Sequence, residues 1–277
     1  MADQKSPIGV IDSGVGGLTT LAQLSTLLPG ESIIYCGDNH NAPYGNRSGE
    51  EIVELTKKML AYLAERDVKM VAVACNTISS TFDTPGLAGY QDEYGFPVLS
   101  IIRAAAEDIV SLRYTRVGVI ATAFTIASGC YGKLINELDP KIEVFGEPSE
   151  KLAALIEQGD LHSPAIDAEV GKHVTNLMSA HPDVKDIVLG CTHYPIVEGI
   201  FKSKAPHVAF LNPAQSQARA VRVQLSDAGL LYHGQHSAVG TLEINTSGDK
   251  PVYDTVISEL GITRDWTLNQ IDFSAPR

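Results

Sequence analysis

Ile8-Gly9-Val10-Ile11-Asp12-Ser13 returns almost unchanged as Val117-Gly118-Val119-Ile120-Ala121-Thr122, an offset of 109 residues. Each is a short apolar run ending in a small residue, the pattern of a strand buried on both faces. Two more landmarks repeat in the same order. Ile34-Tyr35-Cys36-Gly37-Asp38 matches Val144-Phe145-Gly146-Glu147 through its glycine (37 to 146), and Val68-Lys69 matches Val184-Lys185 (68 to 184). One duplication at so long a spacing predicts paired domains and not a solenoid.

Apolar runs at 8–11, 32–35, 70–74, 98–101, 116–121, 142–145, 186–189 and 208–211 read as strands. Amphipathic stretches such as 48–65 and 167–179 read as helices between them. The fold class is therefore α/β, with two pseudo-symmetric domains, each a mostly parallel sheet flanked by helices. The segment after Leu211 has no third copy. A helix at 213–225, a strand at 241–246, a turn at Ser247-Gly248-Asp249 and a helix near 251–260 are expected to complete the first half. The division is then 1–97 plus 211–277 against 98–210, with the active site in the cleft between them.

The chain has 277 residues, 44% of them hydrophobic, and a net charge of −12. An acidic chain without a basic run is a poor partner for nucleic acid or an anionic membrane surface. No apolar stretch is long enough to span a bilayer, and the polar start, Met1 to Pro7, lacks the shape of a signal peptide. The four cysteines, Cys36, Cys75, Cys130 and Cys191, form no CxxC and no metal pattern. Reduced thiols in the cytoplasm are expected. Nothing marks a Schiff-base lysine or a phosphate cup, so neither a metal nor a cofactor is expected.

Val71-Ala72-Val73-Ala74-Cys75-Asn76-Thr77 and Ile187-Val188-Leu189-Gly190-Cys191-Thr192-His193 each run a strand into a cysteine. The carboxyl end of a parallel strand is where open α/β sheets bind ligands. Two thiols so placed suit a proton-transfer enzyme that works on both faces of one carbon. Helices starting just after both cysteines would help to lower a thiol pKa. A disulfide is the rival reading of a facing pair. Cys36 and Cys130 read as buried core residues.

Asp12-Ser13-Gly14-Val15-Gly16-Gly17 brings backbone N–H groups to a helix start, but it is neither of the usual phosphate loops, and a small carboxylate fits better. Asp12 can bind an ammonium group, assist proton transfer or cap the helix. Residues 38–47 read as a loop, with Tyr44 and Gly45 at its tip able to close on a ligand. Asn76, Thr77 and Thr192 are neutral donors suited to carboxylates, and His193 can shuttle a proton. Helix capping is the plainer reading of these four. The other histidines, including His162, His181, His233 and His236, read as surface residues.

Four motifs, Asp-Ser-Gly-Val-Gly-Gly-Leu-Thr (12–19), Pro-Tyr-Gly (43–45), Ala-Cys-Asn-Thr (74–77) and Leu-Gly-Cys-Thr-His-Tyr-Pro (189–195), resemble those of the glutamate racemase family, in the aspartate/glutamate racemase superfamily. The Thr-Ser-Gly-Asp turn (246–249) is similar to that family's tail. The resemblance covers nearly the whole chain. It implies cofactor-independent interconversion of L- and D-glutamate, with Cys75 and Cys191 as the acid/base pair. The first would act on the D-enantiomer and the second on the L-enantiomer. Asp12, Ser13, Tyr44, Gly45, Asn76, Thr77, Thr192 and His193 would bind substrate. Asp12 and His193 would also assist the cysteines, with Glu157 as the acidic partner of the histidine. The resemblance carries an expectation of a D-glutamate supply for peptidoglycan, and a homodimer is expected.

Three departures stand out. Asn41 replaces an arginine usual in the loop, Leu211-Asn212 stands where Ile-Asp is common, and Glu147-Pro148 where Cys-Pro is frequent. They leave room for an aspartate or broader-specificity racemase. A non-catalytic amino-acid-binding or regulatory protein is the reading from another class, and the presence of both cysteines argues against it.

Overall fold

The computed structural model describes residues 2–234 and 239–274. Among these, β1 (Ile8–Asp12), β2 (Ile33–Gly37), β3 (Met70–Val73), β4 (Val98–Ser100), β9 (Leu242–Thr246) and β10 (Trp266–Gln270) form one sheet, ordered β10-β9-β2-β1-β3-β4. The strands β5 (Arg116–Thr122), β6 (Glu143–Ser149), β7 (Asp186–Gly190) and β8 (Ala209–Leu211) form a second, ordered β6-β5-β7-β8. All pairings are parallel. The series β2-β1-β3-β4 and β6-β5-β7-β8 have the same order, so the sequence repeat is a repeat of topology.

That order fixes where a site can form. From β1 the chain steps outward to β2, then crosses back to β3 on the other side. The crevice opens at this reversal, beyond the carboxyl ends of β1 and β3. Asp12 closes β1 and Cys75 follows β3, while Thr122 closes β5 and Cys191 follows β7. Both crevices therefore carry their thiol for a topological reason.

The helices are α1 (Leu18–Leu27), α2 (Gly49–Ala64), α3 (Asn76–Thr81), α4 (Ile101–Ser111), α5 (Ala123–Ser128), α6 (Cys130–Leu138), α7 (Leu152–Glu157), α8 (Pro164–Ala180), α9 (Glu198–Lys204), α10 (Pro213–Asp227) and α11 (Pro251–Glu259). Their starts are legible chemistry. Ser48 and Glu51 form a capping box on α2, Ser100 caps α4, and Ser163 and Asn212 cap α8 and α10, each ahead of a proline. One apolar cluster holds Val15 and Leu18 from the first half together with Ile156, Leu189 and Tyr194 from the second. No described helix is long and apolar enough to cross a membrane.

The tail joins the first sheet: β9 pairs with β2 and β10 with β9. On α10, the fully buried Gln217 donates to the carbonyls of Val73 (2.9 Å) and Leu99 (3.1 Å) and accepts from Thr20 (3.0 Å). This braces the end of the strand that leads to Cys75.

Several expectations need correction. The 98–100 strand lies in the first sheet, beside β3, although the division at 97/98 assigned it to the second half. Its apolar run announces a strand but not its partner. β10 was not anticipated, because Trp-Thr-Leu-Asn-Gln is a half-exposed edge strand with few apolar residues. β6 runs to Ser149 through Pro148, which an edge strand tolerates. A full helix follows Cys75 directly, but after Cys191 a tight turn at Tyr194–Val197 comes first and α9 begins only at Glu198. Among the histidines, His162 and His233 are exposed and His181 is half-buried, stacked on Phe145. His173, which fell under the same surface reading, is buried between Glu147 (2.8 Å) and Glu169 (3.1 Å). His236 lies outside the described residues.

Candidate active site

The site is built on the two strand ends and the loops that face them. Asp12 is fully buried; its Oδ1 accepts from the Gly14 N–H (3.0 Å) and its Oδ2 from Thr192 Oγ1 (3.0 Å) of the other half. Burial pushes its carboxyl pKa up to about 6, against the pull of His193 and these two donors. Asp12 therefore changes charge close to neutrality.

Cys75 is buried at the N-cap of α3, and its Sγ donates to Ser13 Oγ at 3.6 Å. Burial drives this thiol well above its ordinary pKa. The Asp12 charge adds to the effect, the Ile78 N–H and Ser13 oppose it, and Cys191 adds a smaller upward push.

Cys191 has different company. Its Sγ lies 3.6 Å from His193 Nδ1, and His193 Nε2 donates to Glu157 Oε2. Burial of the imidazole lowers its pKa, but Cys191 and Glu157 together outweigh this and hold it well above the ordinary histidine value. With Nε2–H committed to Glu157, Nδ1 faces the sulfur. It can accept from a thiol when the ring is neutral, or donate to a thiolate when the ring is charged. Glu157 also accepts from the Val15 N–H (3.3 and 3.2 Å) and from Asn39 Nδ2. A carboxylate on α7 of the second half is thus held mostly by the first.

The remaining residues from the sequence reading fall around this centre. Asn76 Oδ1 accepts from Tyr131 Oη (2.7 Å), which leaves its buried Nδ2 a donor without a protein partner. Thr77 Oγ1 is 3.0 Å from Thr122 Oγ1, a bond between the halves. Tyr44, almost fully buried, donates to Asp38 Oδ2. A Cβ on Gly45 would stand 2.7 Å from Thr122 Cβ, so only glycine lets this loop close on the second half. Cys36 and Cys130 are buried, and all four cysteines are free thiols.

The glycine loop has a role the sequence did not disclose. A side chain on Gly14 would collide with the Glu157 carboxylate, and one on Gly16 with Thr192 and His193. These glycines admit the other half's side chains. The loop with Asn41 also explains itself: Asn41 Nδ2 donates to both Asp38 oxygens (3.1 and 3.0 Å), while Arg47 Nε bonds the Asn41 carbonyl (2.7 Å). Asn212 caps α10, and Glu147 binds His173 and Asn176 on the edge strand. Asp38, Asn39, Thr122 and Tyr131 were missed by sequence reasoning. Only Thr122 carried a signal, since it stands 109 residues after Ser13.

A family model described as Asp/Glu/Hydantoin racemase matches residues 8–221, and the chain belongs to that family. Among its curated relatives, the glutamate racemase of Synechocystis sp. is 39% identical over 229 residues, 82% of this chain and 79% of that one. A solved glutamate racemase, isoform RacE1 from Bacillus anthracis, superposes with a TM-score of 0.84 at 30% identity, covering 97% of this chain and 98% of that one. The glutamate racemase of Francisella tularensis, in complex with D-glutamate, gives 0.83 at 27% identity, with 98% and 99% covered. The resemblance to glutamate racemases, the two-sheet α/β fold and the reading of the chain as an amino-acid racemase all hold.

Proposed function

We propose that the protein interconverts L- and D-glutamate by a two-base mechanism in the cytoplasm, supplying the D-enantiomer for peptidoglycan. The observation that carries the mechanism is the equivalent placement of Cys75 and Cys191, at the same topological point of the two sheets. In the L-to-D direction the Cys191 thiolate takes the α-proton, and the Cys75 thiol returns a proton to the opposite face. Burial keeps Cys75 protonated, which suits a donor. In the reverse direction the roles exchange. The substrate ammonium, entering near Asp12, lowers the cost of the second negative charge that Cys75 must then carry.

A thiolate is a weak base for an amino-acid α-proton, so the barrier falls through positioning and stabilisation of the carbanion. The unpartnered Asn76 Nδ2, the Thr192 hydroxyl and the backbone of the glycine loop supply neutral donors for a carboxylate. Glutamate is favoured over aspartate by its curated relatives. The test is α-deuterium exchange in deuterated water with each amino acid offered singly. Exchange of L- and D-glutamate supports the proposal; exchange of L-aspartate without L-glutamate overturns it.

A further inference from the structure

The turn Thr246-Ser247-Gly248, at the end of β9, lies far from either cysteine in sequence, yet a directed chain of hydrogen bonds joins it to the Cys191 side. The Gly248 N–H donates to Thr246 Oγ1 (3.1 Å), so the hydroxyl's own proton is free to go to Asn39 Oδ1 (2.9 Å). Tyr253 Oη donates to the same oxygen. With Oδ1 so engaged, Asn39 presents its amide N–H to Glu157 Oε1. The opposite flip would set Oδ1 against a carboxylate, acceptor on acceptor, so the network itself assigns the orientation. Glu157 in turn holds His193, and His193 faces the Cys191 sulfur. A Cβ on Gly248 would press on Asn39 Cβ at 2.6 Å, so the turn has no space to spare at this point.

We propose that Asn39, oriented by Thr246, is a positioning residue for Glu157 and His193, and therefore acts selectively on the base that Cys191 provides. Nothing in this chain of bonds reaches Cys75, whose own partner is Ser13. The consequence is a directional asymmetry. Racemisation uses both thiols in every turnover and cannot separate them, whereas elimination can. An amino acid with chlorine on its β-carbon needs one base: the thiolate takes the α-proton, the Cα–H pair forms the Cα=Cβ bond, and chloride leaves with the Cβ–Cl pair. The proposal rests on the two-base reading above, in which Cys191 serves the L-enantiomer and Cys75 the D-enantiomer.

The experiment measures chloride release by the full-length protein from each enantiomer of 3-chloroglutamate, for the parent and for Asn39→Ala, Thr246→Val and Thr246→Ser. Loss of a hydrogen bond to a charged group predicts a fall of about tenfold with the L-enantiomer for Asn39→Ala. The D-enantiomer rate should stay within about twofold, a smaller change than loss of one neutral hydrogen bond. Thr246→Val should fall in the same sense, and Thr246→Ser, which keeps the hydroxyl, should restore the parent ratio. Variants impaired equally with both enantiomers, or a Thr246→Ser that behaves as Thr246→Val, overturn the relay alone. A parent that releases chloride from neither enantiomer overturns the two-base reading and the relay with it.

Discussion

The two halves share a strand order but not a chemistry. Where the first half ends β1 in Asp12, the second ends β5 in Ala121 and Thr122, and where the second follows Cys191 with Thr192 and His193, the first follows Cys75 with Asn76 and Thr77. Burial, with the Asp12 carboxyl beside it, thus holds the proton on Cys75, whereas Cys191 sits beside an imidazole that can take or give one. Each half also lends its helper to the other: Thr192 donates to Asp12, and Val15 and Asn39 donate to Glu157. The repeat places the two sulfurs equivalently, and divergence of their neighbours gives each a different set of partners.

The most severe way to break this comparison is to remove one sulfur. Cys75→Ala and Cys191→Ala should each lower racemisation by at least about a thousandfold, the scale of a positioned acid or base. Polarimetry from both enantiomers checks this, and near-parent activity in either variant would end the two-base account. Next in size is Glu157→Gln, which removes a charge that, with Cys191, holds the His193 pKa up. The pKa of the imidazole should fall, and the loss of its proton should move to lower pH. Nitrogen NMR of the histidine ring reads this directly, and a fall in rate of about tenfold should accompany it.

Asp12→Asn probes the other half and should separate stability from activity. The folded-state pKa of Asp12, about 6, lies above its ordinary 3.8. The folded protein therefore binds the extra proton between these values, and burial of Asp12 costs stability increasingly as pH rises through this window. The variant should be more stable than the parent above pH 6, by roughly 3 kcal/mol at most, with the difference vanishing below about pH 4. Urea unfolding at the two pH values tests the sign, while racemisation should fall. The smallest effect is expected for Tyr131→Phe, which frees the Asn76 amide to rotate. A rise of a few-fold in KM for glutamate is expected, with a stability change of about 1 kcal/mol, the worth of one hydrogen bond.

Much of this architecture could be read from residues alone because it depends on local pattern. Continuous apolar runs announced β1, β5 and β7, and helical patterns at 48–65, 167–179 and 213–225 announced α2, most of α8 and α10. What escaped depends on partners distant in sequence. Val98–Ser100 looks like a strand of either half until its pairing with β3 is seen. His173 has charged neighbours in sequence, and only the fold buries it between two glutamates. In the site, the residues beside the two thiols were legible because strand ends are where α/β folds place ligands. Tyr131 and Asn39 were not, since each matters through hydrogen bonds to residues more than fifty positions away.

The central claim, one sulfur for each face, is tested most directly by the first moments of reaction of L-glutamate in deuterated water. The α-carbon of each enantiomer should be followed by mass spectrometry before a tenth or so of the substrate is consumed. Two bases predict deuterium in the D-glutamate formed while the remaining L-glutamate stays protiated. Deuterium entering both enantiomers at the same initial rate would contradict the account.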